Sequence, residues 1–244
     1  MRQLLPFAFA AMLLPLAVPA FADSTPAPAT ISITGEGKVM AAPDIAFVTI
    51  GVTTDNKAAR DALTENTRSM TNLMATLAAA SIDPKDIQTS GFSVSPQYVY
   101  PEREANGVQA PPHIASYQVQ NGVTVKVRKL EALGTILDQV VTVGANTINS
   151  VSFSVDDTTK LLEEARKAAY TDAETKAKTY AGAAGIGLGR ILSISENQGA
   201  PVPEAYADVR AMAPMASAPV PVAAGQLTYS ISVSVQWEIE GQAH

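Results

Sequence analysis

TTKLLEEARKAAYTDAETKAKTYAGAAG, residues 158–185, has the periodicity of one long α-helix, and it decides the fold class of the chain. One face of this helix carries small and apolar side chains, namely Leu162, Ala165, Ala169, Ala173, Ala177, Tyr180 and Ala181. The opposite face places acids four residues before bases, in the pairs Glu163 with Lys167, Asp172 with Lys176 and Glu174 with Lys178. Each such pair stabilises an exposed helical face by ~0.3 kcal/mol. The alanine stripe lets the helix lie close against a sheet or another helix, and Gly185 is typical of a left-handed helix end.

Around this helix, the chain alternates apolar and polar residues in the manner of half-buried strands. The clearest examples are residues 117–127 and 229–239. Their apolar sets match in phase: Tyr117, Val119, Val123, Val125 and Val127 correspond to Tyr229, Ile231, Val235, Trp237 and Ile239. Further strands are predicted over residues 31–39, 45–53, 87–100, 148–155 and 190–195. Gly35 and Gly37 indicate a bulge in the first of them.

Two more helices are predicted, over residues 57–80 and 128–143. Asp55 or Asn56 would cap the first. Its predicted inner face consists of Leu63, Met70, Leu73, Met74 and Leu77. The second would turn inward Leu130, Leu133, Leu137 and Val140.

The order of these elements repeats. Residues 45–127 and 148–239 each run strand, long helix, strand, proline-rich loop, strand. This favours two βαββ halves, about 45–128 and 148–239, joined by the middle helix, although short alternating strands also match by chance. Because one-sided strands need cover on one face only, we predict an α+β fold. It would be a mixed, mostly antiparallel sheet with the long helices packed on one face.

The amino-terminal residues predict export. Arg2 gives a short positive start, residues 4–18 are apolar and uncharged, and residues 20–22, Ala-Phe-Ala, match a signal peptidase site. A membrane anchor is the alternative, but the apolar run is shorter than the ~20 residues that span a bilayer and contains prolines. We therefore predict a signal peptide over 1–22, a flexible leader over 23–30 and a domain over 31–240.

Composition excludes several classes of function. The chain has 17 basic and 23 acidic residues, and loss of Arg2 with the signal leaves a net charge of about −7. This balance argues against nucleic acid, which requires a basic face, and against electrostatic docking to anionic lipid. The sequence contains no cysteine, which excludes disulfides, thiol nucleophiles and thiolate metal sites.

Candidate catalytic residues are few. His113 lies beside two prolines and His244 is the last residue, so both are interpreted as exposed side chains. Ser90, next to Gly91, and Ser150 lie in predicted strands, without the Gly-x-Ser-x-Gly turn of a serine hydrolase. The glycines of residues 185–189 follow a helix, whereas a phosphate-binding loop precedes one.

Two further pairs of residues have alternative interpretations. Asp156 and Asp157 could form half of a cation site or an acid–base pair, but a helix cap is favoured because they precede the long helix. Met212 and Met215 could bind copper(I) or scavenge oxidants, but two thioethers without other ligands favour a mobile loop. Asp138 is expected in solvent. We therefore assign no catalytic, cofactor-binding or metal-binding residue.

Taken in order, several short motifs resemble the SIMPL domain family of bacterial envelope proteins over residues 31–240. The motifs are Gly35-Glu36-Gly37, Pro43-Asp44, Gly51-Val52, Asn66, Asp86-Ile87-Gln88-Thr89, Pro96, Tyr117, Val127-Arg128, Leu137-Asp138, Gly144-Ala145-Asn146, Phe153, the alanine-striped helix with Gly185, and LGRILSISE at 188–196. The resemblance implies a periplasmic or outer-membrane-associated protein of Gram-negative bacteria. It also implies a link to oxidative stress tolerance, with no accepted enzymatic activity and no catalytic residues to carry over.

The expected function is therefore non-catalytic: protein binding or self-assembly in the periplasm, as a homo-oligomer or with an envelope partner. The loops 101–115 and 198–225 hold analogous positions in the two halves and are the predicted contact surface, since long loops are often functional. The alternative is a periplasmic hydrolase or small-ligand-binding protein whose site uses carboxylates and hydroxyls.

Overall fold

The computed structural model describes residues 28–102, 109–204 and 220–240. The predicted signal peptide and most of the predicted leader lie outside these residues. Three helices are present: α1 Ala59–Ala79, α2 Leu133–Thr142 and α3 Thr159–Ala184. The strands are β1 Thr30–Ala41, β2 Ile45–Asn56, β3 Ile87–Val99, β4 His113–Val127, β5 Thr147–Ser154, β6 Gly187–Gln198, β7 Val202–Glu204 and β8 Gln226–Glu240. The predicted α+β class is confirmed.

The strands form two antiparallel sheets rather than one mixed sheet. The first sheet has the order β3-β4-β2-β5, and the second has the order β1-β8-β6 with β7 paired to the start of β8. The division arises because β1 pairs with β8 along its whole length, from Thr30 opposite Glu238 to Ala41 opposite Leu227. The chain then passes directly into β2 of the first sheet. Each sheet has its own helical cover and its own core.

The first core joins α1 and α2 to the inner strands β2 and β4. From α1 it takes Met70, Leu73 and Leu77, in agreement with the sequence pattern. Leu63 and Met74, predicted on the same face, are each 40% exposed, whereas Ala62 and Asn66 are fully buried. The helix is therefore rotated from the predicted face. It places the small side chain of Ala62 and the amide of Asn66 against the strands.

The second core joins α3 to β1 and β8, and it confirms the alanine stripe. Ala165, Ala169, Ala173 and Ala177 are fully buried, and they pack with Ile231, Val235 and Trp237 of β8. Tyr180 does not belong to this face, because it is 61% exposed. The predicted ion pairs Asp172–Lys176 and Glu174–Lys178 form, with N–O distances of 2.7 and 2.9 Å.

The bulge predicted at Gly35 and Gly37 is wrong, since β1 pairs with β8 without a register shift. These glycines face α3 instead. A Cβ atom on Gly35 would lie 2.1 Å from the carbonyl oxygen of Ala169, and one on Gly37 would lie 1.9 Å from that of Ala165. The helix backbone therefore rests directly on the strand, which only glycine permits at these two positions.

The helix ends match the sequence in part. Gly185 ends α3 in the left-handed conformation, with φ of 67°, as predicted. Helix α1 begins after Ala58, whose backbone N–H donates to Asn56 Oδ1 at 3.4 Å, while Asp55 belongs to β2. Helix α1 ends at Ala79, and Ser81, two residues later, adopts φ of 62° although it is not glycine.

The two halves differ in how their strands are placed. In the first sheet β4 lies between β3 and β2, and in the second β8 lies between β6 and β1. Strand β5, which precedes α3 as β2 precedes α1, pairs with β2 instead of with β8. The position that β2 holds in the first sheet is thus held by β1 in the second. The βαββ duplication stays a prediction.

Candidate functional site

A groove of about 580 Å³ crosses the face of the first sheet that is turned away from α1 and α2. It exists because three glycines lie side by side on neighbouring strands: Gly51 of β2 pairs with Gly122 of β4, which pairs with Gly91 of β3. Residues directly opposite one another on antiparallel strands share a face. Because these three residues have no side chains, the sheet face has one continuous depression at this point, which we call the glycine trough.

Hydroxyl and amide side chains line the glycine trough. Thr53, Gln120 and Ser93 are paired in register and form one wall. The remaining polar lining consists of Thr49, Ser90, Asn121, Thr147 and Asn149. Among residues 28–102, 109–204 and 220–240, no Lys, Arg, Asp or Glu lines the trough.

Several of these polar groups have partners and several do not. The hydroxyls of Thr53 and Thr147 lie 3.4 Å apart, and Gln120 Nε2 donates to Gln118 Oε1 at 2.9 Å. The side chains of Ser90, Ser93 and Asn149 make no hydrogen bond within the described part of the chain. The trough therefore presents free donors and acceptors to solvent.

The outer strand β3 forms a second candidate surface. It has 13 residues, IQTSGFSVSPQYV, none of them charged, and pairs only with β4 among the described strands. Phe92 and Val94 lie opposite Asn121 and the buried Val119, so they face the helix side of the sheet. They are nevertheless 57% and 42% exposed, because α1 packs across β2 and β4.

The outer strand β6 has the equivalent place in the second sheet. Ile194 lies opposite the buried Val235 but is 56% exposed beside α3. Unlike β3, this strand carries charge: Glu196 pairs with Arg166 of α3 at 2.9 Å, and Arg190 pairs with Glu238 at 2.8 Å.

In contrast, side chains of α3 cover the free edge of β1. The backbone N–H of Glu36 donates to Asp172 Oδ2 at 2.8 Å, and Lys176 Nζ donates to the carbonyl oxygen of Thr34 at 3.2 Å. Charged side chains laid across an edge protect it from pairing with another strand. Among the edge strands β3, β6 and β1, only β3 has neither a charged side chain of its own nor a charged side chain of a helix bound to it.

An ion-pair cluster joins the first sheet to the segment that leads into α3. Arg128, just after β4, makes a bidentate contact with Asp86 at 2.8 and 2.9 Å and also binds Asp156. Lys126 binds the other oxygen of Asp156, whose backbone N–H donates to Asp44 Oδ1 at 2.8 Å. The cluster thereby connects β4 to the segment that enters α3.

The same contacts set the acidities of these carboxyl groups. The hydrogen bonds from Arg128 hold the pKa of Asp86 below its usual value, although burial of this 6% exposed side chain opposes the shift. Lys126, and then Arg128, lower the pKa of Asp156. Asp86 and Asp156 are therefore ionised at neutral pH and are bound to these basic partners.

The acidic pair predicted as a helix cap divides into two roles. Asp157 Oδ1 accepts a hydrogen bond from the backbone N–H of Thr159 at 3.0 Å, which supports the start of α3. Hydrogen bonding from the side chain of Thr159, and then from its backbone N–H, lowers the pKa of Asp157. Asp156 instead joins the ion-pair cluster. Neither this cluster nor the glycine trough is predicted by the sequence pattern, although Asp86, Arg128 and Gly51 belong to the family motifs quoted above.

The other candidate residues lie apart from one another. His113 begins β4 and is exposed, Ser150 is exposed on β5, and Asp138 is exposed on α2. Among the described residues, no three His, Asp or Glu side chains come together in a way that could hold a metal ion. His244, Met212, Met215 and most of the loop 198–225 lie outside the described residues, as do residues 103–108 of the other loop.

Comparison with known proteins places the chain. The sequence model of the SIMPL family, described as "Protein of unknown function (DUF541)", matches residues 31–237. The chain belongs to the SIMPL family. It is 41% identical over 229 residues to the 26 kDa periplasmic immunogenic protein of Brucella melitensis, with 91% of each chain covered.

More distant SIMPL relatives carry no functional name. The uncharacterized protein YggE of Escherichia coli K12 is 30% identical over 167 residues, which cover 67% of this chain and 64% of YggE. YggE of Edwardsiella ictaluri is 27% identical over 183 residues, covering 75% and 74%.

The predicted location is confirmed: this SIMPL protein is periplasmic, as its Brucella relatives are. Within the described part of the chain, no helix combines the length and the apolar character needed to cross a membrane. The predicted signal peptide itself lies outside the described residues and stays a prediction.

Proposed function

We propose that this periplasmic SIMPL protein is not an enzyme and acts by association, through its outer strand β3, with further copies of itself. The observation that carries the proposal is the character of β3. It is long, uncharged and unpaired along one side within the described chain, and it presents apolar side chains beside an exposed row of backbone groups.

Such an edge favours strand pairing with another chain. Free N–H and C=O groups along a strand are a template for a further strand, and proteins usually block them with charge. The β1 edge is blocked in this way by Asp172 and Lys176. Pairing at β3 would also bury Phe92 and Val94, which α1 leaves uncovered.

Strand β6 is the complementary edge that we propose for the second copy. It is also an outer strand, and Ile194 is exposed on its helix side. Pairing between β3 of one copy and β6 of the next would join the first sheet of one copy to the second sheet of the other. It would also bring Phe92 and Val94 of β3 and Ile194 of β6 into the same interface. This contact is heterologous, because each copy contributes a different surface.

Support for a non-catalytic role comes from the carboxylates. Asp86, Asp156 and Asp172, three acids whose pKa values are lowered, are bound to Arg or Lys partners in ion pairs. Structural ion pairs displace pKa values without catalysis. None of these acids borders the glycine trough.

The test compares two valine variants by light scattering after size-exclusion chromatography. Val94→Lys puts a charge on the exposed helix-side face of β3, and we expect it to reduce the mass of the assembly to that of a single chain. Val151→Lys is the matched control, since Val151 is 37% exposed on β5, the other edge of the same sheet. An unmodified protein that is a single chain at all concentrations, or an assembly that survives Val94→Lys, would refute the proposal.

The stress tolerance implied by the family resemblance belongs to the same proposal. If association carries the function, a strain that lacks the gene should regain its peroxide tolerance with the Val151→Lys protein but not with the Val94→Lys protein. If both variants restore peroxide tolerance equally, the role in stress tolerance does not depend on self-association.

A further inference from the structure

We propose that the glycine trough binds a neutral glycan strand. This inference goes beyond self-association, because it concerns an open sheet face and not an edge. Its basis is a groove of about 580 Å³ whose polar lining consists of hydroxyl and amide groups, with no charged side chain among the described residues that line it. That volume lies within the ~300–1,000 Å³ of ordinary ligand pockets.

The uncharged character of the trough is specific to the first sheet. The open face of the second sheet also carries hydroxyls, for example Thr34, Ser234 and Ser195 in one paired row. Its groove is smaller, about 290 Å³, and is bordered by Glu36 and Lys38. The two sheets therefore share hydroxyl-rich open faces, but the groove of the second sheet carries charged side chains.

The lining excludes charged ligands. On this face of β2 and β4 the charged residues are Asp55 and Lys126, which lie toward opposite ends of the strands and outside the trough lining. A charged ligand in the trough would lose part of its hydration without contacting a side chain of opposite charge, which is unfavourable. The trough also offers little to an apolar ligand, because the side chains of its two apolar lining residues, Val52 and Phe92, point to the helix side of the sheet.

The hydroxyl and amide groups that line the trough are suited to bind the hydroxyl groups of sugars. A Ser or Thr hydroxyl both donates and accepts, and an Asn or Gln side chain offers one of each, so each can pair with a sugar hydroxyl or an acetamido group. The trough crosses β2, β4 and β3 and reaches β5 at Thr147, a width of roughly 14 Å at ~4.8 Å per strand. An open groove of this width suits a run of linked sugar rings lying across the strands.

Gly91→Trp provides a direct way to block the trough. A Cβ atom at Gly91 meets nothing within 4 Å, and its φ is not in the positive region, so the indole enters open space without backbone strain. Ser195→Trp is the control, because Ser195 occupies an exposed position on the corresponding outer strand of the second sheet. Asn149→Ala, on the far side of the trough from β3, removes one lining amide without touching the outer strand.

The measurement is titration calorimetry of the full mature protein with chitohexaose, with the mass of each variant measured in parallel. We expect unmodified protein and Ser195→Trp to bind, Gly91→Trp to bind at least about tenfold more weakly, and Asn149→Ala to bind several-fold more weakly. Added salt should leave the affinity unchanged, since no charge pairs are involved.

Three results would overturn the inference. They are no binding of chitohexaose by the unmodified protein, full binding by Gly91→Trp, or stronger binding of an anionic oligogalacturonate than of chitohexaose. The Val94→Lys variant should bind the glycan normally whether or not it assembles. A failure of self-association is thereby distinguishable from a failure of the glycan site.

Discussion

Helix α1 meets its sheet mainly through long apolar side chains, whereas the fully buried residues of α3 are all alanines. In the first layer, Met70, Leu73 and Leu77 fill the space between helix and strands. In the second, α3 lies so close that its backbone oxygens would clash with any side chain at Gly35 or Gly37. The first layer is therefore sensitive to side chains that become smaller, and the second to side chains that become larger.

The largest expected effect tests the second layer. Gly37→Val places a Cβ atom 1.9 Å from a backbone oxygen of Ala165, and a backbone atom cannot rotate away as a flexible side chain can. Helix α3 would have to lift from β1, so we expect a loss of about 4 kcal/mol or more in the free energy of unfolding. Urea denaturation measures it. Gly91→Val is the control, and a similar loss in both variants would contradict the close contact.

The next effect tests the first layer. Leu73→Ala removes a fully buried side chain and should lower the free energy of unfolding by about 2–5 kcal/mol. Leu63→Ala, at a position that is 40% exposed on the same helix, should cost less than about 1 kcal/mol. Equal losses would mean that α1 buries the face predicted by the sequence pattern, rather than the face seen in the structure.

That pair of variants also shows where sequence patterning is sufficient. Helical spacing predicted the extent of α1 and α3 closely, because 20 or more residues of periodicity average out local exceptions. It included Leu63 and Met74 because they are apolar, and it omitted Ala62 and Asn66 because they are small or polar. The amide of Asn66 is buried because Nδ2 donates to the carbonyl oxygens of Val52 and Val119, at 2.9 and 3.3 Å. A hydrogen bond of this kind cannot be predicted from the periodicity of apolar residues.

Tertiary pairing explains the remaining differences. Alternation in β1 and β8 predicted strands but not their partners, so the division into two sheets could not be derived from either strand alone. Gly35 and Gly37 were assigned to a bulge, because a glycine pair in a strand indicates either a bulge or a close approach. The glycine trough depends on Gly51, Gly122 and Gly91 being in register, which only the pairing of three strands reveals.

A smaller effect concerns the link between the layers. Asp86→Asn removes the charge that Arg128 binds and should lower the stability at neutral pH by less than Leu73→Ala does. The pKa of Asp86 is depressed in the folded protein, so its contribution is present above the ordinary aspartate pKa of ~3.9 and is lost as the pH falls through the folded value.

The variant should accordingly show a weaker loss of stability on acidification than the unmodified protein. Urea denaturation at a series of acidic pH values checks this. Asp138→Asn, at an exposed carboxylate on α2, is the control. A steeper pH dependence in Asp86→Asn than in the unmodified protein would contradict the assigned ion pair.

The smallest effect compares the two helix ends. Both helices stop with a left-handed residue, Ser81 after α1 at φ of 62° and Gly185 after α3 at φ of 67°. A left-handed conformation costs a residue with a side chain ~1–2 kcal/mol, while glycine loses ~0.5–1 kcal/mol more chain entropy on folding. Ser81→Gly should therefore stabilise the protein by about 0.5–1 kcal/mol, and Gly185→Ser should destabilise it by a similar amount.

The sign of the change at Ser81 is the informative part, because it separates two explanations of why serine stands there. If the serine is only a strained helix end, glycine relieves the strain and the urea midpoint rises. Its neighbour Ile82 donates its backbone N–H to the carbonyl oxygen of Leu77 at 3.0 Å, and this bond is open to glycine as well, so the helix end itself is kept. A fall in the midpoint would mean that the Ser81 side chain contributes more than its backbone strain costs. The two layers would then end their helices by different means, just as they pack them by different means.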